Sequence, residues 1–462
     1  MDRARYHDTI CAVATAPGHS AIAIVRCSGP TARTLVESIS RTGTGAPLAL
    51  ESHRVQRADL VDSSTGRAVD EVLLVYMAKP RSFTREDVVE IQCHGNPVLV
   101  RRVIRMLTQA GARPAEPGEF TRRAFLNGRI GLVEAEAIDD LINAPTESSA
   151  ELALGQLHGS LKARIVELRK RLIDLTALVE ANLDFPEEDI DILTVSDLLH
   201  QVEDLSLRVE ELASTHDRTR IVRGGIRTLI AGRPNAGKSS LLNLLLKSER
   251  AIVTATPGTT RDTIEEPLVL RGVLFSLIDS AGLRHTVEPV EAIGVRRTLD
   301  LMGQADLILY VLDSSVRPDE EELSLLSGAD PKRFQLVLNK ADLDPAVDPR
   351  IVESLAPLKP VRVCCVTGNG LEGLLDHLWQ RANEELVPSS GDDVLVSERH
   401  RDLLRKAGRS LEDFATAVRQ GTPVDVATLD LHEAKNSLGE IIGEIVTEDI
   451  LDRIFERFCV GK

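Results

Sequence analysis

Short apolar runs alternate with turn residues in the first part of the chain, from Thr9 to about Phe125. Three of these runs, AIAIVRCSG, EVLLVYMAKP and VVEIQCHGNP, are rich in β-branched residues and end at Gly or Pro, which is typical of strands. We therefore predict a compact α+β domain over residues 1–124.

Beyond Ala124 the apolar spacing changes to that of helices. One stretch has apolar residues every three or four positions with Lys, Arg and Glu between them: Leu161, Ile165, Leu168, Leu172, Leu175 and Val179. Similar spacing returns in SERHRDLLRKAGRSLEDFATAV and from Asp430 to Phe458. Since an apolar helix face needs a partner, we predict one discontinuous helical domain built from residues 125–224 and 385–462.

Strands and helices alternate between these two helical segments, from about Gly225 to Asn383. The apolar runs IRTLIAG, VLFSLID, ADLILYVLD and RFQLVLN are separated by helical sequence. This order predicts a mostly parallel α/β sheet in an inserted domain, residues 225–384, with the SSGDD stretch near Ser389 as a linker. The predicted fold class is multidomain: an α+β domain, a helical domain in two pieces and an inserted α/β domain.

Composition and charge narrow the classes of protein. A chain of 462 residues exceeds one ordinary core, and 43% apolar with 27% charged residues is close to the average for folded domains. A formal net charge of -16 argues against a protein that coats nucleic acid along its whole surface, so RNA would need a local patch. No apolar run is long enough for a membrane span and the N-terminus has no signal pattern, so we expect a cytoplasmic protein.

The six cysteines have no paired spacing that would indicate a zinc site or a disulfide framework. Five are interpreted as small apolar core residues: Cys11, Cys27, Cys93, Cys364 and Cys365. The sixth, Cys459, is discussed below.

A phosphate-binding loop follows the run IRTLIAG. The segment from Gly232 to Ser239, GRPNAGKS, matches GxxxxGK(S/T) between a predicted strand and a predicted helix. Glycines let backbone N–H groups face phosphates, Lys238 supplies a cation for the β- and γ-phosphates, and the Ser239 hydroxyl can bind Mg²⁺. The sequence therefore predicts a nucleoside triphosphate site.

The end of the run RFQLVLN indicates which base the site prefers. It carries Asn339, Lys340, Ala341 and Asp342, where a carboxylate can accept two hydrogen bonds from guanine's N1 and exocyclic amine. Adenine offers no such pair of donors, so the predicted substrate is GTP.

A switch segment completes the predicted hydrolytic site. The segment Asp279 to Gly282, DSAG, ends the run VLFSLID, and Gly258 to Thr260 can supply a second hydroxyl for the metal. Leu283 stands where Ras-like proteins have a glutamine that orients water. Three residues nearby could act instead: Arg284, Glu288 and Glu291.

Several motifs together resemble one family, the tRNA-modification GTPases called MnmE or TrmE. They are the loop GRPNAGKSS, the segments TATPGTTRD and DSAGLR, the N-terminal DTICAVATAPG, SFTREDVVEIQCHG and PGEFTRRAFLNGR, and the terminal FCVGK. The resemblance covers nearly the whole chain. It implies a dimerising, folate-binding N-terminal domain, a central helical domain and an inserted GTPase domain.

The resemblance also assigns roles around the nucleotide. It implies a K⁺ ion held by Asn235, Thr254, Thr256 and Thr259, whose charge can replace that of an arginine finger. It makes Glu291 the catalytic acid, beside Lys238 and Arg284, and Ser239 with Thr260 the Mg²⁺ ligands. The whole expected nucleotide site is Asn235, Ala236, Gly237, Lys238, Ser239, Ser240, Thr254, Ala255, Thr256, Pro257, Gly258, Thr259, Thr260, Asp279, Ser280, Ala281, Gly282, Asn339, Lys340, Ala341 and Asp342.

A folate site is implied at Arg26, Glu90, Arg129 and Lys462. Arg129 replaces a lysine of the family, which keeps the charge for a folate carboxylate but changes the geometry. From its position alone, Arg26 could equally be an exposed strand charge. Cys459 of FCVGK has either a chemical role or an ordinary packing role.

Two further departures from the family lie near the nucleotide. Ser280 replaces the threonine of DTAG, and Cys364, Cys365 and Val366 stand where SAK or SAR surrounds the guanine. Backbone amides at these positions could still contact the base.

The implied function is a K⁺-dependent GTPase that forms a homodimer and assembles into a heterotetramer with an FAD- and NADH-using partner, MnmG or GidA. Together they would modify the wobble uridine of tRNA at C5 with a one-carbon unit from tetrahydrofolate. The alternative is a switch GTPase of ribosome assembly or RNA binding. The folate motifs and FCVGK favour the first reading.

Overall fold

The computed structural model describes residues 6–184, 194–248, 265–279, 301–383 and 394–462. The chain forms two compact units. The first contains Met1–Asp139, Gln156–Val209 and Leu403–Lys462, and the second contains Asp140–Gly155 and Glu210–Asp402.

A seven-stranded sheet forms the N-terminal part of the first unit, in the order β3-β4-β5-β6-β2-β1-β7. Its strands are β1 Ile10–Val13, β2 Ser20–Ser28, β3 Ser40–Arg41, β4 Val55–Val61, β5 Ala68–Met77, β6 Val88–Gly95 and β7 Arg113–Pro114. All neighbours are antiparallel except β1 and β7. The three predicted strand runs correspond to β2, β5 and β6, so the predicted α+β domain is confirmed.

Two helices, α1 Ala32–Ser38 and α2 Pro97–Ala110, contact this sheet and close its core. The side chain of Asn96 caps α2 by accepting a hydrogen bond from the Val98 amide, and Gly111 ends the helix with φ of 118°. Cys11, Cys27 and Cys93 are buried in this core, as predicted.

Within the described residues, helices make up most of the remainder of the first unit. The six residues of the predicted apolar stripe are all buried on α6, Ser160–Asp184, which packs against α14, Val424–Ile442. The predicted pairing of two distant helical segments is therefore confirmed. The other helices whose bounds lie wholly or partly in this unit are α3 Glu119–Leu126, α4 Leu132–Ile142, α5 Glu147–Leu157, α7 Val195–Ser214, α13 Glu398–Arg419 and α15 Glu448–Phe455.

The second unit contains a six-stranded sheet in the order β13-β12-β11-β8-β10-β9. Its strands are β8 Ile226–Gly232, β9 Glu265–Leu270, β10 Val273–Asp279, β11 Leu307–Asp313, β12 Phe334–Asn339 and β13 Val361–Arg362. All neighbours are parallel except β9 and β10, which confirms the predicted parallel α/β sheet. Its helices within the described residues include α8 His216–Gly224, α9 Lys238–Ser248, α10 Glu320–Ser327, α11 Pro349–Ser354 and α12 Leu371–Arg381.

The central strands of this sheet are mainly apolar and buried, because both faces of the sheet are covered. Leu307 to Leu312 on β11 and Phe334 to Leu338 on β12 are all buried, including Gln335. Polar residues therefore collect at the carboxyl ends of the strands, where ligands bind in open parallel sheets.

None of the helices in the described ranges is both long and apolar enough to cross a membrane. The residue boundaries given above for the three domains stay a prediction.

Candidate functional site

The loop between β8 and α9 has the geometry of a phosphate cradle. Gly232 has φ of 143°, and a Cβ there would lie 2.3 Å from the carbonyl oxygen of Val311, so only glycine fits. Gly237 has φ of 100° and directly precedes α9. The first turn of a helix presents N–H groups that have no partner within the helix, at the positive end of its dipole. The loop is thus suited to an anion.

Two side chains at the start of α9 lie where the phosphates and metal are expected. Lys238 is buried, and its Nζ donates a hydrogen bond to the carbonyl oxygen of Arg233 over 2.7 Å. The Ser239 hydroxyl donates to Oδ2 of Asp279 over 3.0 Å, because β8 and β10 are parallel neighbours that end at the same edge. Hydroxyl and carboxylate oxygens are ligands that suit Mg²⁺.

The base-recognition segment is tied to this loop by Asn339. Its Nδ2 donates to the carbonyl oxygen of Ala236 over 2.8 Å, and its Oδ1 accepts from the amide of Cys365 over 3.3 Å. Asn339 is 2% exposed, so these two bonds fix the spacing between the phosphate loop and the end of β12. Asp342 follows on the surface, where its Oδ1 accepts a hydrogen bond from Sγ of Cys364 over 3.0 Å.

Lys340 is held by a carboxylate that the sequence analysis missed. Its Nζ lies 2.5 Å from Oδ2 of Asp313, the last residue of β11. Burial alone would raise the pKa of Asp313, but hydrogen bonds from Lys340 and Ser315 outweigh it and hold the pKa below its ordinary value. The signal was available: β11 and β12 are both apolar runs, and polar residues at the ends of neighbouring parallel strands meet.

A cavity of about 570 Å³ joins these groups. Its lining residues are Pro234, Asn235, Gly237, Lys238, Ser239, Ser240, Asn339, Lys340, Asp342, Leu343, Cys365 and Val366. The prediction of Cys365 as a core residue holds in part, because the half-buried residue packs against the core of the sheet and also lines this cavity. Burial nevertheless raises the pKa of its thiol to about 11. Cys364 is buried, as predicted.

The structure places only part of the predicted nucleotide site. It brings together the phosphate loop, Asp279 and the segment Asn339 to Asp342. The predicted residues that lie outside the described ranges are Thr254, Ala255, Thr256, Pro257, Gly258, Thr259, Thr260, Ser280, Ala281, Gly282, Arg284, Glu288 and Glu291. Of the predicted K⁺ ligands, only Asn235 is described; it is exposed in the phosphate loop with φ of 65°.

The four predicted folate residues meet in the first unit. Arg26 and Glu90 face each other across β2 and β6, and both Nε and Nη2 of Arg26 donate to Oε1 of Glu90, over 3.0 and 2.9 Å. The side chains are only 15% and 20% exposed, so Arg26 is not a free strand charge. We call Arg26, Glu90, Arg129 and Lys462 the N-terminal cluster.

The chain terminus reaches this cluster by pairing with the segment before α3. Val460 forms an antiparallel bridge with Pro117, and the Phe120 amide donates to the carbonyl oxygen of Lys462 over 3.1 Å. Nη1 of Arg26 lies 3.5 Å from the carbonyl oxygen of Gly461. Burial, and after it the charge of Arg26, lower the pKa of Lys462.

Aromatic rings fill the space between the cations of the cluster. The guanidinium of Arg26 lies 5.5 Å from the ring centre of Phe83 and 5.7 Å from that of Phe120, and Arg129 lies 4.9 Å from Phe83. Both phenylalanines belong to the quoted motifs, SFTREDVVEIQCHG and PGEFTRRAFLNGR, but their role was missed. Cys459 has an exposed side chain, so the packing role considered for it is wrong.

The fold and the cavity together define a class. A P-loop GTPase domain consists of a parallel sheet, a GxxxxGKS loop at the start of a helix and an Asn-Lys-x-Asp segment at a strand end. Here the loop follows β8, and the segment begins at the end of β12, two strands away in the sheet.

Comparison with known proteins narrows the class. The family described as "GTP-binding protein TrmE N-terminus" matches residues 9–129, and the family "MnmE helical domain" matches residues 132–459. A protein of Geobacter sulfurreducens is 45% identical over 456 residues, 98% of this chain and 99% of its own. One of Bacillus subtilis is 42% identical over 462 residues, 98% of this chain and 100% of its own. Each is named tRNA modification GTPase MnmE, and the present chain belongs to the MnmE family.

Among solved structures, the G domain of the T. maritima FeoB iron transporter is 27% identical and covers 34% of this chain and 98% of its own. The TM-score of this pair is 0.26.

Proposed function

We propose that this chain is a K⁺-dependent GTPase that cycles between conformations as a homodimer. With an FAD-dependent partner of the MnmG or GidA type, it modifies the wobble uridine of tRNA at C5 by a carboxymethylaminomethyl-type reaction, using a tetrahydrofolate one-carbon unit. The observation that carries this proposal is the N-terminal cluster: two residues on neighbouring strands, one after α3 and the chain terminus converge beside aromatic rings. A switch GTPase has no need of such a cluster.

GTP occupies the 570 Å³ cavity in this proposal. Asp342 accepts hydrogen bonds from the guanine edge, and Lys238 neutralises charge on the β- and γ-phosphates. A bound Mg²⁺ ion would supply further charge stabilisation, with Ser239 and Thr260 as its ligands and Asp279 beside Ser239. The contact between Ser239 and Asp279 supports this assignment, since the hydroxyl already faces a carboxylate.

Hydrolysis requires an oriented water molecule and a compensating positive charge. We assign the first task to Glu291 and part of the second to Arg284. A K⁺ ion held by Asn235, Thr254, Thr256 and Thr259 would supply the remaining charge. Asn235 is exposed and lines the same cavity as Lys238 and Ser239, which supports its role as a ligand.

Folate binds at the N-terminal cluster in this proposal. Glu90 can accept hydrogen bonds from the amino group and ring N–H of a pterin, and Arg129 and Lys462 can bind carboxylates. The rings of Phe83 and Phe120 offer apolar faces to a planar ligand. The folate supplies the carbon, the partner's flavin supplies the redox chemistry, and the GTPase cycle controls when the complete site assembles.

The domain plan and location belong to the same proposal. Residues 1–124 would bind folate and form the dimer, residues 125–224 and 385–462 would form the helical domain, and residues 225–384 would be the inserted GTPase domain. The protein would act in the cytoplasm, where its tRNA substrates are made.

Mass spectrometry of tRNA from a strain without the gene tests the proposal. We expect wobble uridines to lose the C5 substituent and to regain it when the wild-type gene is restored. Normal tRNA together with an accumulation of immature ribosomal subunits would reject the proposal in favour of a ribosome-assembly GTPase.

A further inference from the structure

A cleft beside the N-terminal cluster collects three arginines. It has a volume of about 480 Å³ and is lined by Met77, Pro80, Arg81, Ser82, Phe83, Arg85 and Arg129. We call it the arginine cleft. Arg81 and Arg85 are not among the residues assigned above to folate, and no other part of the mechanism uses them.

Hydrogen bonds hold the backbone around the cleft in place. The loop after β5 makes two successive turns, in which the Arg81 amide donates to the carbonyl oxygen of Ala78 over 3.0 Å and the Arg85 amide donates to that of Ser82 over 3.4 Å. Two hydrogen bonds connect this loop to the segment after α3. Nδ2 of Asn127 donates to the carbonyl oxygen of Thr84 over 2.7 Å, and Nη1 of Arg129 donates to the carbonyl oxygen of Ser82 over 3.0 Å.

The Arg85 side chain forms a third hydrogen bond between this loop and the segment after α3. Its Nη1 donates to the carbonyl oxygen of Asn127 over 3.0 Å, and its backbone has φ of 58°. Arg81 and Arg85 are both exposed. The three guanidinium groups therefore surround the cleft on backbone that is already ordered, which reduces the entropy lost on binding.

The cations of the cleft have no acidic partner among the described residues. Arg81, Arg85 and Arg129 form no ion pair there, although the chain carries a net charge of -16. The two carboxylates of the same loop form hydrogen bonds with other residues. Glu86 accepts a hydrogen bond from the Ser28 hydroxyl, and Asp87 accepts one from the Tyr76 hydroxyl.

The arginines also repel one another. The pKa of Arg129 is lowered by burial first and then by the charges of Arg85 and Arg26. An anion with more than one charge would relieve this repulsion, and guanidinium groups bind carboxylates in a bidentate geometry.

The cleft is continuous with the N-terminal cluster. Phe83 lines the cleft and also lies against Arg26, while Arg129 belongs to both sites. A ligand whose ring lies at Arg26 and Glu90 can therefore extend past Phe83 into the cleft. Of the parts of a folate, only its glutamate tail carries several carboxylates in a row.

We propose that Arg81, Arg85 and Arg129 form a subsite for the carboxylates of a folate's γ-linked glutamate tail, so that the protein prefers oligoglutamyl over monoglutamyl folates. This inference rests on the proposed folate function.

Calorimetry on the full-length protein tests the subsite. The probes are 5-formyltetrahydrofolate with one and with three glutamates, measured at the same pH and ionic strength. Two additional charge-assisted contacts correspond to about a tenfold lower Kd for the triglutamate. In the double variant Arg81→Gln/Arg85→Gln the ratio of the two Kd values should fall to about two or less.

Arg101→Gln is the matched control, because Arg101 is an exposed arginine on α2 outside the cleft. It should leave the Kd ratio unchanged, and raising the salt concentration should reduce the ratio in the wild type. A thermal melt of each variant checks that the fold is intact, since substitutions of exposed side chains cost little stability.

The outcomes separate the two proposals. If neither folate binds the wild type, the proposed folate function fails. If both bind equally, or if the double variant keeps the wild-type ratio, folate binding stands and the tail subsite is rejected. A loss of tRNA affinity in the double variant with an unchanged Kd ratio would instead assign the cleft to RNA phosphates.

Discussion

At the scale of single residues, Asp342 is positioned by a thiol. Sγ of Cys364 donates to its carboxylate over 3.0 Å and also accepts from the Thr367 amide over 3.4 Å. The thiol stands where a serine hydroxyl of the SAK or SAR segment would stand in the family. A thiol is a weaker donor than a hydroxyl, so it orients the carboxylate with a weaker bond.

The first prediction concerns this contact. Cys364→Ala removes the donor and should raise the Kd for GDP by about fivefold, whereas Cys364→Ser should keep the affinity of the wild type or improve it. Titration with a fluorescent GDP measures both. Cys364→Ser is thus the matched control, because it keeps a hydrogen-bond donor at this position. An alanine variant that binds as tightly as the wild type would show that the thiol does not position Asp342.

A second residue-scale prediction concerns Glu291. If this residue orients the attacking water, Glu291→Ala should lower kcat by about a hundredfold and leave GTP affinity intact. Turnover of the wild type should be higher in KCl than in NaCl at equal ionic strength. Glu288→Ala provides the comparison within the same segment. A parallel loss of GTP affinity in Glu291→Ala would point to a structural role.

At the scale of elements, α3 is joined to the start of the N-terminal sheet by ion pairs that centre on the buried residues Glu119 and Arg123. Glu119 is 1% exposed and accepts from Arg113 over 2.7 Å and from Arg123 over 2.9 Å, and Asp8 accepts from the same two arginines. Burial acts to raise the pKa of Glu119 and of Asp8, but the bonds from arginine outweigh it and lower both.

This network predicts a loss of stability in acid. Both carboxyl groups have a lower pKa when folded, so their stabilisation is complete above the ordinary values of 4.5 and 3.8 and is lost as pH falls below them. Glu119→Gln should cost about 2 kcal/mol at pH 7, because the buried Arg123 loses one charged partner and keeps its ion pairs with Asp8 and Glu86. The difference from wild type should shrink towards pH 3.

Urea unfolding at both pH values measures this difference. Glu51→Gln is the control, because Glu51 pairs with Arg54 at the surface and both side chains are more than half exposed. A destabilisation of Glu119→Gln that is the same at both pH values would exclude the electrostatic explanation.

The stripe of α6 gives a further prediction at this scale. Leu172 is 1% exposed, so Leu172→Ala should destabilise the protein by about 2–5 kcal/mol through lost contacts and a cavity. Val166 lies on the same helix and is 45% exposed, so Val166→Ala should cost less than about 1 kcal/mol. Thermal melting curves of the two variants measure the loss of stability in each. An equal loss of stability in both would mean that the buried stripe does not hold α6 in place.

At the scale of the whole molecule, the last residues of the sequence pack against the segment around α3. Phe455 and Phe458 are buried in one cluster with Leu132, and the carbonyl oxygen of Phe455 would lie 2.7 Å from a Cβ on Gly118. The last residues therefore dock beside α3 and place Lys462 next to Arg26.

Removal of the terminus tests this arrangement. A chain that ends at Phe458 keeps the apolar anchor but loses Lys462 and the Gly461 carbonyl, so we expect its affinity for 5-formyltetrahydrofolate to fall at least tenfold. Arg457→Ala, at an exposed position just before the anchor, should bind folate normally. If the shortened chain binds folate as tightly as the wild type, the terminus is not part of the site.

The sequence by itself determined the elements and the nucleotide chemistry. Hydrophobic periodicity is a local property, so the stripe of α6 and the apolar strands β8, β10, β11 and β12 could be predicted from it. The GxxxxGKS loop and the Asn-Lys-x-Asp segment are also local, since each acts mainly through its own backbone and a few side chains. The pairing of α6 with α14 followed because an apolar face needs a partner.

Tertiary structure alone decided which distant residues meet. Strand register places Arg26 opposite Glu90, and an antiparallel bridge brings the chain terminus to them; neither is visible in local spacing. The same holds for Cys364 with Asp342 and for the three arginines of the cleft. The physical reason is that a contact between residues far apart in sequence depends on register and loop closure across the whole domain, which no short window of sequence contains.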